Sequence, residues 1–139
     1  ERGKCHAIMI IDIDHFKWIN DGMGHAFGDI CLHKISNILL GEVVQANGFV
    51  GRYGGEEFLC IIENTDLQTI HDITEQLRYR VENENICYTH KGKQYNVTIS
   101  IGYTIITDFS GHSIDSYIEK ADGALYTAKS LGRNTVIRR

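Results

Sequence analysis

The sequence predicts an α+β fold, with a central and mostly antiparallel sheet flanked by helices. Three observations carry that expectation. Ala7-Ile8-Met9-Ile10-Ile11 is a continuous apolar run of strand length, as expected of a central strand covered on both faces. Gly54-Gly55 lies between two strand-like runs, and adjacent glycines reach positive φ cheaply, which signals a tight hairpin. Apolar residues recur at helical spacing in three further stretches.

Along the chain, residues 7–11 form the first strand. In residues 29–40, Cys31, Ile35, Ile38 and Leu39 make a helical stripe. Residues 50–53 and 58–62 form the hairpin, with Gly54-Gly55-Glu56-Glu57 at its tip. Thr65-Asp66-Leu67-Gln68 reads as a capping box, and Ile70, Ile73, Leu77 and Val81 mark the helix it opens. Val97, Ile99, Ile101 and Tyr103 alternate with Thr98, Ser100, Gly102 and Thr104, the pattern of a half-buried strand. Ile114, Ile118, Ala121, Leu125 and Ala128 give a third helix, ended by Gly132 at a C-cap position. Residues 135–137 form a short last strand. Proline is absent, so turns rely on glycine, asparagine and aspartate. The order is β-α-β-β-α-β followed by an extra C-terminal α-β unit. Its first six elements match the split βαβ, ferredoxin-like arrangement. That arrangement hosts many functions, so function has to come from the site.

At 139 residues the chain reads as one domain, residues 1–139, able to bury a core without staples. A net charge of −4 argues against nonspecific nucleic-acid binding. It leaves room for a nucleotide bound at a locally basic site. Cys5, Cys31, Cys60 and Cys87 show no metal-type spacing. Cys60 sits in an apolar run, so a reducing, cytoplasmic setting without disulfides is expected. No apolar run is long enough to span a bilayer, and no signal peptide is visible. The chain begins at Glu1, a few residues before a strand. It is expected to be part of a longer, regulated protein, which can be membrane-anchored.

The candidate site gathers at the first strand and the hairpin tip. Asp12 and Asp14 follow the apolar run and share one face of the strand, with Ile13 on the other. A carboxylate where a buried strand emerges is costly unless paired or metal-bound. In a split βαβ sheet the first strand neighbours the hairpin, so Asp12 can approach Glu56. Two carboxylates and a backbone carbonyl, completed by phosphate oxygens, suit Mg²⁺. Taken alone, an acidic hairpin tip is more often a solvated turn, and Lys129 and Arg133 are ordinary charges at a helix C-terminus.

Taken in order, Asp12-Ile13-Asp14-His15-Phe16-Lys17-Trp18-Ile19-Asn20-Asp21, Gly24-His25, Gly28-Asp29, Arg52-Tyr53-Gly54-Gly55-Glu56-Glu57-Phe58, Ser100-Ile101-Gly102, Ala121-Asp122-Gly123-Ala124-Leu125-Tyr126, Ala128-Lys129 and Gly132-Arg133-Asn134 resemble the GGDEF domain of diguanylate cyclases, in its GGEEF variant. The resemblance covers nearly the whole chain. The family's N-terminal helix and its Asp-x-Leu-Thr segment would precede Glu1. The resemblance implies a nucleotidyl cyclase, palm-like fold and a reaction. Two GTP molecules condense to cyclic di-GMP and two pyrophosphates where two domains face each other, so a homodimer is implied.

By this resemblance Asp12, the Ile13 carbonyl and Glu56 hold Mg²⁺, with Mn²⁺ as a possible substitute. Glu56 also matches the position of the catalytic base, and Glu57 beside it tunes or assists. Phe16 and Lys17 match the turn that meets the phosphates, and Lys129 with Arg133, four apart on one helical face, match the phosphate clamp. Asn20 and Asp29 match the guanine-reading pair, although Asp29 also suits a helix N-cap. His25 falls near base and ribose, and Trp18 reads as packing. Many members carry an inhibitory product-binding Arg-x-x-Asp before the hairpin. Here those positions are Gln45-Ala46-Asn47-Gly48, so no product-inhibition site is expected. A competing reading is a catalytically silent module that binds GTP or a protein partner. Such members lose the acidic pair or the Lys17, Asn20 or Asp29 equivalents, all present here. A cyclase with relaxed base choice is a third reading, against which Asn20 and Asp29 argue.

Overall fold

The structure, a computed structural model, describes residues 4–107 and 113–139. Glu1, on which the reading of a longer protein rested, lies outside them. Strands β1 (Cys5–Ile13), β2 (Gly48–Arg52), β3 (Glu57–Thr65), β4 (Cys87–His90), β5 (Lys93–Asn96), β6 (Ile99–Ile106) and β7 (Val136–Arg138) alternate with helices α1 (Phe16–Met23), α2 (His25–Gln45), α3 (Leu67–Glu82) and α4 (Ile114–Ser130). The main sheet has the order β2-β3-β1-β6-β7. Its pairings are antiparallel, except that β7 lies parallel to β6. All eight predicted elements are present.

The apolar run lies at the centre. Along β1, Ala7, Met9, Ile11 and Ile13 pack with the buried stripes of α2 (Cys31, Ile35, Leu39) and α3 (Ile70, Leu77, Val81). Ile8 and Ile10 pack with Tyr117, Ala121 and Leu125 of α4. Helices therefore cover both faces of the sheet. Burying a chain of Ile, Leu and Val side chains contributes roughly 1.5–3 kcal/mol each, which is what makes a rigid platform for the residues at the strand ends. Among the described residues no helix is long and apolar enough to cross a membrane.

Several local expectations are corrected. The strand expected to be half-buried, β6, is buried on both faces, Ser100 and Thr104 included. The cause is α4, whose backbone lies directly over Gly102. The capping box is displaced by one residue: Thr65 ends β3, and Asp66 caps α3 by accepting from the Thr69 amide at 2.8 Å. Ile114 is exposed, and Tyr117 and Ala124 join the buried side of α4 in its place. The last strand is shifted to Val136–Arg138. Neither Gly54 nor Gly55 uses positive φ. The tip is closed by the Tyr53 and Gly54 amides donating to the Glu57 carbonyl, and by the Arg52 guanidinium donating to the Gly55 carbonyl at 2.5 Å.

Three elements were not foreseen, helix α1 and strands β4 and β5. Helix α1 takes up the segment read as a phosphate turn; its one buried residue is Ile19, too little to show a stripe. The β4–β5 hairpin closes on Lys91-Gly92, both with positive φ (51° and 78°), a two-residue loop that twists with its strands. The glycine between Tyr88 and Tyr95 was the available signal.

Candidate active site

At the C-terminal end of β1, the start of α1, the hairpin tip and the end of α4 enclose a cavity of about 250 Å³. Asp12, Ile13, Asp14, Phe16, Lys17 and Glu56 line it together with Lys129 and Arg133. The register explains the meeting. Asp12 pairs across to Glu57 of β3, and the Ile13 amide donates to the Glu56 carbonyl at 3.2 Å.

Asp12 is almost completely buried and faces α4, where Lys129 Nζ reaches its Oδ2 at 2.6 Å. Even so its carboxyl is pushed up to about 6. Burial is the main cause; Lys129 opposes it, and the charges of Glu56 and Glu57 add to it. One cation therefore faces more negative charge than it neutralises, a site poised for additional positive charge. Among the described residues no three His, Cys, Asp or Glu side chains form a metal cage by themselves. The oxygen donors of Asp12 and Glu56 fit Mg²⁺, which takes one or two carboxylates and completes its shell with waters and substrate phosphates.

Lys129 is on the last turn of α4, but Arg133 is not on that helix. The helix stops at Ser130, with Leu131 as C-cap. Gly132 follows at φ 109°. Its amide donates to the Lys129 carbonyl at 3.3 Å and the Arg133 amide to the Ala128 carbonyl at 3.0 Å, the Schellman pattern. This reversal, and not a helical face, brings Arg133 back to the cavity.

Asn20 on α1 lies against Gly28 of α2, where any larger residue would collide with Asn20 Oδ1. That oxygen is buried and accepts no hydrogen bond, an arrangement costly unless a donor arrives from elsewhere. Asp29, next to Gly28, is exposed in the second turn of α2. It is not an N-cap, because α2 begins at His25 after Gly24. His25, the first residue of α2, is exposed. Gln45 ends α2 and Gly48 begins β2. A Cβ on Gly48 would lie 2.5 Å from Val43 Cγ1 and 2.8 Å from the Ile61 carbonyl, so this position has no room for a carboxylate side chain.

The family model described as diguanylate cyclase, GGDEF domain, matches residues 1–135. The chain belongs to the GGDEF domain family. Diguanylate cyclase A of Treponema denticola is 43% identical over 136 residues, covering 98% of this chain and 36% of that protein. Response regulator PleD of Caulobacter vibrioides is 39% identical, with 97% and 29% covered. The chain thus spans about a third of the length of these curated relatives. The active GGEEF domain of a diguanylate cyclase from Vibrio cholerae superposes with a TM-score of 0.84 at 31% identity, covering 97% of this chain and 83% of that one. The coiled coil and GGDEF domain of DgcB from Caulobacter crescentus, in complex with c-di-GMP, gives 0.85 at 30%, with 99% and 71% covered.

In this GGDEF domain Glu57 does not line the cavity of Asp12 and Glu56. It opens on a separate recess with Tyr53, Asp115 and Asp122. Its carboxyl is raised, first by burial, with Lys129 opposing and Asp122 and Glu56 adding. Trp18 does more than pack. It lines the cavity and is stacked between His15 (3.7 Å, 7°) and His90 of the β4–β5 hairpin (4.0 Å, 4°). Burial, together with the positive charge of Arg133, lowers the His15 pKa. The residue sequence reasoning missed at this GGDEF site is Asp14. The sequence sets it beside Asp12 on one strand face, but its partners Thr98, Ser100 and Asn134 lie far along the chain, beyond any local pattern.

Proposed function

We propose that this GGDEF domain is a diguanylate cyclase, which joins two GTP molecules into cyclic di-GMP and releases two pyrophosphates. The observation that carries this reading is the convergence of Asp12, Ile13, Phe16, Lys17, Glu56, Lys129 and Arg133 around one cavity. No member of the acidic pair or of the phosphate-facing cations has been lost. Asp12, the Ile13 carbonyl and Glu56 would hold Mg²⁺, or Mn²⁺ in its place. The ion would neutralise the phosphate oxygens and favour departure of pyrophosphate. Lys17, the amides at Phe16 and Lys17, and the Lys129–Arg133 pair bind the phosphates, so Lys129 exchanges its Asp12 partner for a phosphate oxygen. The unpartnered Asn20 Oδ1 and the Asp29 carboxylate accept from the guanine edge, which adenine cannot satisfy. His25 lies by the ribose.

Each domain holds one GTP, and two domains face each other in a homodimer within the cytoplasm. The 3′-hydroxyl of one GTP attacks the α-phosphorus of the other, the bond to pyrophosphate breaks, and the hydroxyl proton passes to Glu56, while Glu57, in the adjacent recess, assists only through its charge. The closed turn at Gly48 offers no acidic product-binding fork, so cyclic di-GMP inhibits weakly and in competition with GTP; initial-rate kinetics with added product check this. The deciding experiment incubates the protein with GTP and Mg²⁺ and separates the products. Cyclic di-GMP is expected, and GTP binding without it favours a silent, regulatory module.

A further inference from the structure

The backbone at Arg133 and Asn134 is unusual. Both are left-handed, with φ of 66° and 47°, directly after Gly132. Residues with a Cβ avoid this region, and two in succession persist only where the surroundings over-determine them. Before the turn the Schellman bonds hold the backbone; after it, the Ile101 amide donates to the Thr135 carbonyl at 3.0 Å. Between them the anchor is Asp14. The Asn134 amide donates to Asp14 Oδ2 at 2.9 Å. Thr98 Oγ1 donates to the same oxygen at 2.7 Å and Ser100 Oγ to Oδ1 at 2.6 Å. The Asn134 side chain in turn donates to Glu82 at 2.7 Å and accepts from Arg78 at 3.1 Å, both on α3.

Three donors converge on one buried side chain, which a carboxylate meets with two acceptor oxygens and an amide with only one. The charge strengthens each bond. Asp14 itself lines the cavity, but these bonds run to Thr98, Ser100 and Asn134, none of which does. It ties the turn that carries Arg133 to the strand that carries Asp12. We propose that Asp14 is a positioning residue, which locks the left-handed Arg133–Asn134 turn so that the Arg133 guanidinium is held at the phosphate pocket before substrate arrives. The role assigned to Arg133 rests on the reading of this cavity as a GTP site; the anchoring of the turn does not.

The test has a ligand-free arm and a binding arm. In the ligand-free protein, amide hydrogen exchange at Arg133 and Asn134 is compared between wild type and Asp14→Asn. Protection is expected to fall by about tenfold or more; unchanged protection overturns the proposal whatever the protein binds. In the second arm, Mg²⁺ and a GTP analogue that cannot react at the α-phosphorus are titrated calorimetrically. Asp14→Asn is expected to weaken binding about tenfold, the scale of one charge-assisted contact. The same change in an Arg133→Ala background has no further effect, because the contact it positions is already gone. Multiplying effects in the Arg133→Ala background, or wild-type affinity in a folded Asp14→Asn variant, overturn the proposal. If Asp14→Asn does not fold, Asn134→Ala decides, since it strains the turn and leaves Asp14 and its hydroxyl donors in place. It is expected to weaken binding about threefold, only while Arg133 is present; unchanged affinity overturns the proposal. A wild-type protein that fails to bind the analogue while Asp14→Asn loses protection refutes the GTP reading and upholds the anchor.

Discussion

Asp12 and Asp14 leave the same strand on the same face, two residues apart, and both are almost fully buried (4% and 3% exposed). Their surroundings are opposite. Asp14 accepts from two hydroxyls and a backbone amide and is satisfied within the fold. Asp12 has one lysine, two glutamates nearby and a carboxyl pushed up to about 6. Burial alone therefore does not separate a structural carboxylate from a functional one. What separates them is whether neighbouring donors use up the charge or leave it for a ligand.

The strongest way to break this contrast is to neutralise the under-satisfied side. Asp12→Asn or Glu56→Gln is expected to lower cyclic di-GMP formation about a thousandfold, with circular dichroism unchanged. Near-normal turnover in either variant, measured at saturating GTP and Mg²⁺, removes the distinction. Stability should respond the other way. Asp14→Asn leaves buried donors facing an amide and is expected to cost about 2–3 kcal/mol in urea unfolding, whereas Asp12→Asn costs little. The sign follows from the raised carboxyl of Asp12. Its folded value, about 6, lies above the ordinary 3.8, so the stability it contributes is present when protonated, at low pH. That stability is lost as pH rises through that interval. Without divalent cation, wild type should lose stability relative to Asp12→Asn between those pH values; a constant difference contradicts the assignment.

The legible half of this contrast was Asp12. A carboxylate ending an apolar run announces itself, and so does an acidic pair after two glycines. Eight elements were readable because β1, α2 and α3 carry long, regular apolar patterns. Helix α1 buries one residue and the β4–β5 hairpin is half exposed, so neither leaves a periodic trace. Arg133 was placed on the helix because spacing of four suits a helical face, and the Schellman turn at Gly132 overrode it. The role of Asp14 was illegible for a different reason. Its donors come from β6 and from the turn after α4, and only tertiary structure brings them to β1.

A third carboxylate sharpens the comparison. Asp29 is exposed, so it has neither the satisfaction of Asp14 nor the burial of Asp12, and its effect should lie in substrate choice. Asp29→Ser is expected to reduce the preference for GTP over ATP by about tenfold, read as the ratio of kcat/KM values, with stability within about 0.5 kcal/mol of wild type. An unchanged ratio means that guanine is read elsewhere, with Asn20 Oδ1 the next group to alter.

The smallest expected effect tests how the charge of Asp14 is divided. Ser100 is fully buried and donates only to Oδ1, while Thr98 and the Asn134 amide share Oδ2. Ser100→Ala removes one charge-assisted bond and little volume, so about 1–2 kcal/mol of stability should be lost. The oxygen that anchors the Arg133–Asn134 turn keeps both its donors, so GTP affinity should stay within about twofold of wild type. Thr98→Val deletes a donor from the anchoring oxygen instead. It should cost similar stability and weaken GTP binding more than Ser100→Ala does. Equal binding losses in the two variants would mean that the two oxygens act as one charge, and that Asp14 differs from Asp12 only in how completely it is neutralised.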